Sequence, residues 1–323
     1  MLAVQAVRAG GPEVLETVEL PDPAPGPGQI RIRHEAVGLN FIDTYQRSGL
    51  YPVKLPAVLG QEGAGIVDAI GEGVTRFKVG DRAAYGTGPM GAYAQAHLVP
   101  ESRAVHVPEG VSTQMAAAAM LKGMTTEFLL RRCYPVQAGD AILVHAAAGG
   151  VGSLLCQWAK SLGATVIGTV GSAIKGRVAR SAGCDHVIEY GHEDVAARVK
   201  ELTSGAGVRV AYDGVGAATF EASLASLNRR GMLVSFGNAS GPAPAIEPAR
   251  LQRGGSLFLT RPTLFDYVAT PEELDASAKA LFHVIESGAV KIDIGQTFPL
   301  AETRRAHEAL EARETTGQTL LIP

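Results

Sequence analysis

The segment AILVHAAAGGVG (141–152) is an apolar run, then a cluster of small residues, then the start of a second apolar run. Ile, Leu and Val closed by glycines suit a buried strand, and Val151–Leu162 has the spacing of a helix that buries one face. A strand, a tight turn and a helix in that order make a seat for a pyrophosphate. Small residues let the backbone approach, and the first helical turn offers N–H groups and a partial positive charge. Against the pattern G-x-G-x-x-G, Ala147 stands at the first glycine, while Gly149 and Gly152 hold the other two. Such a turn can also serve only to join packed elements, but the strand and helix on either side and a second strand–helix unit downstream favour a dinucleotide site.

The end of the second strand decides which dinucleotide. A site for NAD places Asp or Glu there to hold the ribose hydroxyl. Residues 169–177 read TVGSAIKGR, with no carboxylate. Ser172 can hydrogen-bond, and Lys175 puts a cation in a first helical turn, against the helix dipole. A phosphate seated there would account for both, so NADPH is the expected cofactor. Lys175 alone could be a solvated surface lysine, and Arg177 reads as one.

The elements that position these residues follow from the texture of the 323-residue chain. Residues 1–110 are short strand-like runs punctuated by Gly and Pro, with a loop at PDPAPGPG (21–28) and an alternating strand at Gln29–Arg33. From Gln114 the pattern turns helical, and strands then alternate with helices: strands at 141–146, 164–170, 186–189, 208–212, 232–236 and 256–259, with helices at 151–162 and 173–182 among them. That alternation predicts a doubly wound, mostly parallel sheet in an α/β protein. Helices over 271–287 and 301–313 follow, and an apolar run, Thr319–Ile322, closes the chain as an expected strand returning to the front domain.

Composition excludes several classes. With 29 Lys and Arg against 32 Asp and Glu the net charge is -3, and no basic cluster with interleaved aromatics points to nucleic acid. The three cysteines, Cys133, Cys156 and Cys184, form neither a disulfide framework nor a metal clip. His97 and His106 fit surface or core packing. No apolar run approaches the ~18 residues of a membrane span. The first residues lack a basic segment followed by an apolar core, so a cytoplasmic protein is expected.

The segments VGLNFIDTYQRSGLYP (37–52), LGQEGAGIV (59–67), GDRAAY (80–85), LKGMTTEFLL (121–130), HAAAGGVG (145–152), CQWAKSLGATVIGTV (156–170), SFGNASG (235–241) and GSLFLTRPTL (255–264) are in order over nearly the whole chain. Together they resemble the zeta-crystallin-like quinone oxidoreductases, a zinc-independent branch of the medium-chain dehydrogenase/reductase superfamily. The resemblance implies a GroES-like, mostly β catalytic domain over residues 1–123 and 263–323 and a Rossmann domain over 124–262. It also implies NADPH, a small quinone substrate and a homodimer, for which the run Ser256–Leu259 could pair at a sheet edge with its twin.

Carried over by position, Asn40, Phe41, Ile42, Asp43 and Tyr45 would line the nicotinamide end. Gly149, Gly150 and Val151 would meet the pyrophosphate, and Gly171, Ser172, Lys175 and Tyr190 would surround the 2′-phosphate. Phe236, Gly237 and Asn238 would follow the fifth strand, Thr260, Arg261, Pro262 and Thr263 would close over the nicotinamide, and Arg313 would make a late cofactor contact. One departure is Gly214, where relatives often carry a hydroxyl residue.

Zinc-dependent cousins hold their metal with cysteine, histidine and acidic side chains; the corresponding stretches here read Gly38-Leu39-Asn40 and Gly60-Gln61-Glu62, without thiol or imidazole. No metal is expected. A quinone is already a strong electrophile, so placing its ring against the nicotinamide supplies much of the catalysis. Tyr45, Asn40, Asp43, Tyr51 and Gln61 are the candidates for orienting the carbonyl or relaying a proton. Lys122 reads equally as a structural ion pair. Two alternatives stand beside this reading: an NADPH-dependent enone or alkenal reductase, and a non-catalytic NADPH-binding protein.

Overall fold

A computed structural model describes all 323 residues. It divides into two compact units, each described in turn: Met1–Met124 with Val268–Ser287 and Ile292–Pro323, and Thr125–Tyr267 with Gly288–Lys291.

In the first unit, the strand Gln29–Gly38 is the spine of a seven-stranded sheet. Its alternation is physical: Ile30 and Ile32 are fully buried, while Arg31 and Arg33 turn outward and both pair with Asp68, at 2.7 and 2.8 Å. It pairs antiparallel with Glu62–Ile70 on one side and with the closing strand Gln318–Ile322 on the other, and Ala96–Pro100 also runs antiparallel to it. Gly38 is glycine for a local reason: a Cβ there would stand 2.2 Å from Glu62 Oε2. A small second sheet, with strands Leu15–Glu19, Leu2–Ala6 and Ala57–Val58, completes the layers. Their inner faces share one apolar core of Val4, Ile30, Ile32, Val37, Leu39, Leu59, Val67, Tyr85, Tyr93, Val99 and Leu321.

The second unit is a six-stranded parallel sheet. Numbered along the chain as Ala141–Val144, Thr165–Val170, His186–Glu189, Val208–Asp213, Leu227–Ser235 and Phe258–Thr260, its strands lie in the order 3-2-1-4-5-6. That is the Rossmann order, in which ligands lie at the carboxyl ends of the strands, where the order reverses. Leu143, Ile167, Ile188, Val199, Phe220 and Leu233 fill the core around it. The short return Gly288–Lys291 is fastened to this unit by two bonds between Gln157 and the Lys291 backbone, at 3.1 and 2.8 Å.

Candidate functional site

Because all six strands of the second unit run parallel, the loops after them leave one edge of the sheet. After the first strand, Gly149 caps the helix Gly150–Ser161 with extended backbone and no side-chain cap. The helix packs so close to the turn that a Cβ on Gly152 would stand 2.2 Å from the Ala146 carbonyl oxygen. A glycine helix N-terminus with no side-chain cap and no acid in its first turn fits an anion.

After the second strand, Ser172 caps the helix Ala173–Ser181, its Oγ accepting from the Lys175 N–H at 3.4 Å. The Tyr190 hydroxyl lies over Gly171, where a Cβ would meet it at 2.5 Å. Gly171, Ser172, Lys175 and Tyr190 are thus brought together around one exposed corner, and a glycine at 171 is what lets them converge. A hydroxyl, an ammonium and a phenol without an acid among residues 169–177 form a donor set that fits a phosphate ester.

At the fourth and fifth strands, Asp213 gathers a loop. Its carboxylate accepts from the Val215 and Gly216 N–H groups, both at 2.9 Å, and from the hydroxyls of Thr219 at 2.8 Å and Ser223 at 2.7 Å. Since Ser223 gives its proton to Asp213, it must accept from His145 Nε2–H at 2.9 Å, and His145 Nδ1 then accepts from Thr169 at 3.0 Å. Burial pushes His145 down, keeping it neutral. Phe236, Gly237 and Asn238 leave the fifth strand beside this loop. A Cβ on Gly214 would meet the Phe236 ring at 2.9 Å, and one on Gly237 the Gly214 carbonyl oxygen at 2.2 Å. The aromatic ring fills the room that a hydroxyl side chain at 214 would need, which accounts for the glycine there. Arg261 donates to the Ser235 carbonyl at 2.7 Å and ties the stretch Thr260–Thr263 to the same place.

In the first unit the candidates gather at the helix Phe41–Ser48. Asn40 is its N-cap, and Asp43 reaches back to accept from the Asn40 N–H at 2.8 Å. Phe41, Tyr45 and Tyr51 form an aromatic row, with centroids 6.2 Å apart for Phe41–Tyr45 and 5.2 Å for the edge-on Tyr45–Tyr51. Ile42 is half-buried on the first turn, and Gln61 is buried beside Glu62. Arg313 is exposed in the left-handed turn after the helix Thr303–Glu311, with φ 59°.

Glu62 is fully buried and is held by three donors: Leu121 N–H at 2.6 Å, Asn40 Nδ2 at 2.9 Å and Lys122 Nζ at 3.2 Å. Lys122 is therefore an ion-paired residue of this cluster. A second line runs from Asp43 Oδ2 to the Tyr93 hydroxyl at 2.9 Å, to His307 Nε2 at 3.0 Å, from His307 Nδ1 to Arg47 at 3.0 Å, and from Arg47 to Glu311 at 2.6 Å. Burial pushes Asp43 up to about 7 and His307 down to about 3. The sequence reading passed over Glu62, Tyr93, His307 and Arg47 as actors. The one local signal was charge in apolar company: Glu62 opens a glycine-rich strand, and Lys122 interrupts AAAAMLKGM.

The family models for an alcohol dehydrogenase GroES-like domain and for a zinc-binding dehydrogenase match residues 26–109 and 150–280. A quinone oxidoreductase of Pseudomonas aeruginosa is 55% identical over 321 residues, 99% of each chain. The chain belongs to the quinone oxidoreductase family. Within the medium-chain dehydrogenase/reductase superfamily, its first unit is the GroES-like domain and its second the Rossmann domain. The structure of the Escherichia coli quinone oxidoreductase complexed with NADPH matches with a TM-score of 0.98 at 47% identity, covering all of both chains. A 2-haloacrylate reductase of Burkholderia is 42% identical over 330 residues, 100% of this chain and 99% of the relative. Although one family model is described by zinc, this quinone oxidoreductase family member has no group of three or more His, Cys, Asp or Glu side chains arranged to hold a metal ion.

Proposed function

We propose that the protein reduces small soluble quinones with NADPH, as a quinone oxidoreductase that uses no metal. The observation that carries this is the corner of Gly171, Ser172, Lys175 and Tyr190, beside a glycine helix start without a side-chain cap, in a chain 55% identical over its full length to a quinone oxidoreductase. When bound, NADPH supplies the hydride; the quinone takes that hydride and one proton to become the hydroquinone.

The protein's own groups bind and orient. Gly149, Gly150 and Val151 receive the pyrophosphate, and Ser172 and Lys175 the 2′-phosphate, with Tyr190 against the adenosine. Phe236, Gly237, Asn238 and Thr260 to Thr263 follow the nicotinamide ribose and ring. Asn40, held by Glu62, positions the nicotinamide end with Phe41 and Ile42. Tyr45 and Tyr51 offer hydroxyls to a quinone oxygen, and Asp43 and Gln61 stand behind them as polar support. Arg313 makes a late cofactor contact.

Turnover of benzoquinones, naphthoquinones and alkenals with NADPH tests the assignment. Quinones should turn over fastest, in the presence of chelator as in its absence. The 2-haloacrylate reductase relative favours the second reading, reduction of a C=C bond beside a carbonyl, and alkenal rates far above quinone rates would make that the function. No helix of the structure is long and apolar enough to cross a membrane. We further propose a cytoplasmic homodimer. Phe258–Thr260 is an edge strand and Phe258 is 54% exposed, as a strand that pairs with its twin would be. Phe258→Lys should yield monomers in light scattering.

A further inference from the structure

Arginine only donates hydrogen bonds, and that fact fixes every proton in the line that ends on Asp43. Arg47 donates to His307 Nδ1, so the imidazole carries its proton on Nε2. Nε2–H must then donate to the Tyr93 oxygen, and the Tyr93 O–H to Asp43 Oδ2, which also receives the Asn40 N–H. Asp43 Oδ1 is buried with no partner in the protein. We propose that Tyr93 and His307, anchored by Arg47, are positioning residues for Asp43: they hold Oδ2 as an acceptor, leave Oδ1 as the oxygen that takes up the proton, and so set the pH dependence of turnover.

The line orients Asp43 and does not conduct to it. Arg47 sits between His307 and the part-exposed Glu311, and a guanidinium keeps its protons. His307, fully buried against Arg47, stays neutral. The ionisable groups facing Asp43 are Tyr93, Lys122 and Glu62; Tyr85 also feels its charge, and His307 and Arg47 lie behind Tyr93. Burial favours the neutral acid, whereas the Asn40 N–H, the Tyr93 O–H and the Lys122 charge favour the carboxylate. The balance leaves the group poised near neutrality, and the Tyr93 bond is the contribution that a single oxygen atom can remove.

This inference rests on the quinone reductase reading for its effect on turnover, but its first test needs no substrate. Infrared spectra of the full-length protein with 13C-labelled aspartate should show a protonated carboxyl band that titrates across neutrality and is missing in Asp43→Asn. Tyr93→Phe should move that midpoint up by roughly 1 pH unit, since a bond to the ionised form is lost. The midpoint of kcat/KM for quinone should move with it. His307→Leu should shift it the same way, and His307→Gln, which keeps one donor and one acceptor, should bring it back toward wild type. An Asp43 band that does not titrate, or one unmoved by both Tyr93→Phe and His307→Leu, overturns the proposal. A shifted band in a protein inactive on quinones overturns the quinone assignment and leaves the positioning of Asp43 standing.

Discussion

The candidate residues of the two units are held in place by different materials. In the GroES-like unit the candidates are set by buried charged side chains: Glu62 with Lys122 and Asn40, and Asp43 with Tyr93, His307 and Arg47. In the Rossmann unit they are set by backbone: glycines at 149, 152, 171, 214 and 237, helix starts, and an uncharged imidazole that braces the Asp213 loop. Side-chain machinery can be tuned by protons and is fragile to truncation. Backbone machinery is indifferent to protons and is broken by added atoms. Mutations should therefore separate the two by kind.

The largest effect should come from unpairing the buried carboxylate. Lys122→Met leaves Glu62, which has no solvent exposure, without its counter-charge, and should cost about 3–5 kcal/mol in chemical unfolding. Glu62→Gln on top of it should recover most of the loss. A single variant within about 0.5 kcal/mol of wild type would mean that the pair is not fixed as described. On the backbone side, Gly152→Ala adds a methyl group 2.2 Å from the Ala146 carbonyl. It should weaken NADPH by about 2–4 kcal/mol in fluorescence titration, while Gly149→Ala, which meets the same oxygen at 3.2 Å, should be far milder. Equal penalties would break the argument that close packing of helix on turn is what the glycine serves.

In the Rossmann unit the charge to test is Lys175. Lys175→Glu should weaken NADPH by about 1.5–3 kcal/mol and leave NADH nearly unchanged, because it removes a phosphate partner and adds repulsion. An unchanged NADPH/NADH ratio would move the 2′-phosphate away from Ser172 and Lys175.

This contrast also explains what could be read without coordinates. The glycine turn at 149–152 and the polar corner at 171–175 are local in sequence, as are the strands around them: Ala141–Val144, Thr165–Val170 and His186–Glu189 fall within two residues of where the apolar runs placed them. The fifth strand starts at Leu227 and not at Met232, because Asn228, Arg229 and Arg230 are polar and hide its opening residues. The two-residue strand Ala57–Val58 exists only through its partner. The buried network is illegible for the same reason. Asn40 finds Glu62 22 residues away, Asp43 finds Tyr93 50 away, and His307 meets Tyr93 and Arg47 across 214 and 260 residues. No spacing rule spans such distances, and a tyrosine or histidine that orients a carboxylate looks like one that merely fills the core.

The smallest expected effect is on stability with pH, and it sharpens the same contrast. His34 and His307, buried in the GroES-like unit, are pushed down from 6.5 to about 4 and about 3. The unfolded chain therefore takes up their protons first as the solution is acidified. Their contribution to stability is whole above pH 6.5 and drains away as the pH falls toward 4 and then 3. Asp43 runs the other way. Its folded state keeps a proton that the unfolded chain gives up near 3.8, so its contribution is whole below that value and is lost as the pH rises through about 7. The GroES-like unit is thus pulled from both sides, and the two trends oppose each other between pH 3.8 and 6.5. Asp43→Asn removes one pull and should steepen the rise of stability with pH over that interval by about 1–2 kcal/mol in total. His307→Gln should flatten it by a similar or smaller amount. In the Rossmann unit, His145 is the one buried histidine displaced downward, and it is already neutral at the pH where NADPH binds. Asp43→Asn and His307→Gln should thus change the slope of stability with pH in opposite senses, and changes of the same sense would show that the buried groups of the GroES-like unit are not opposed in this way.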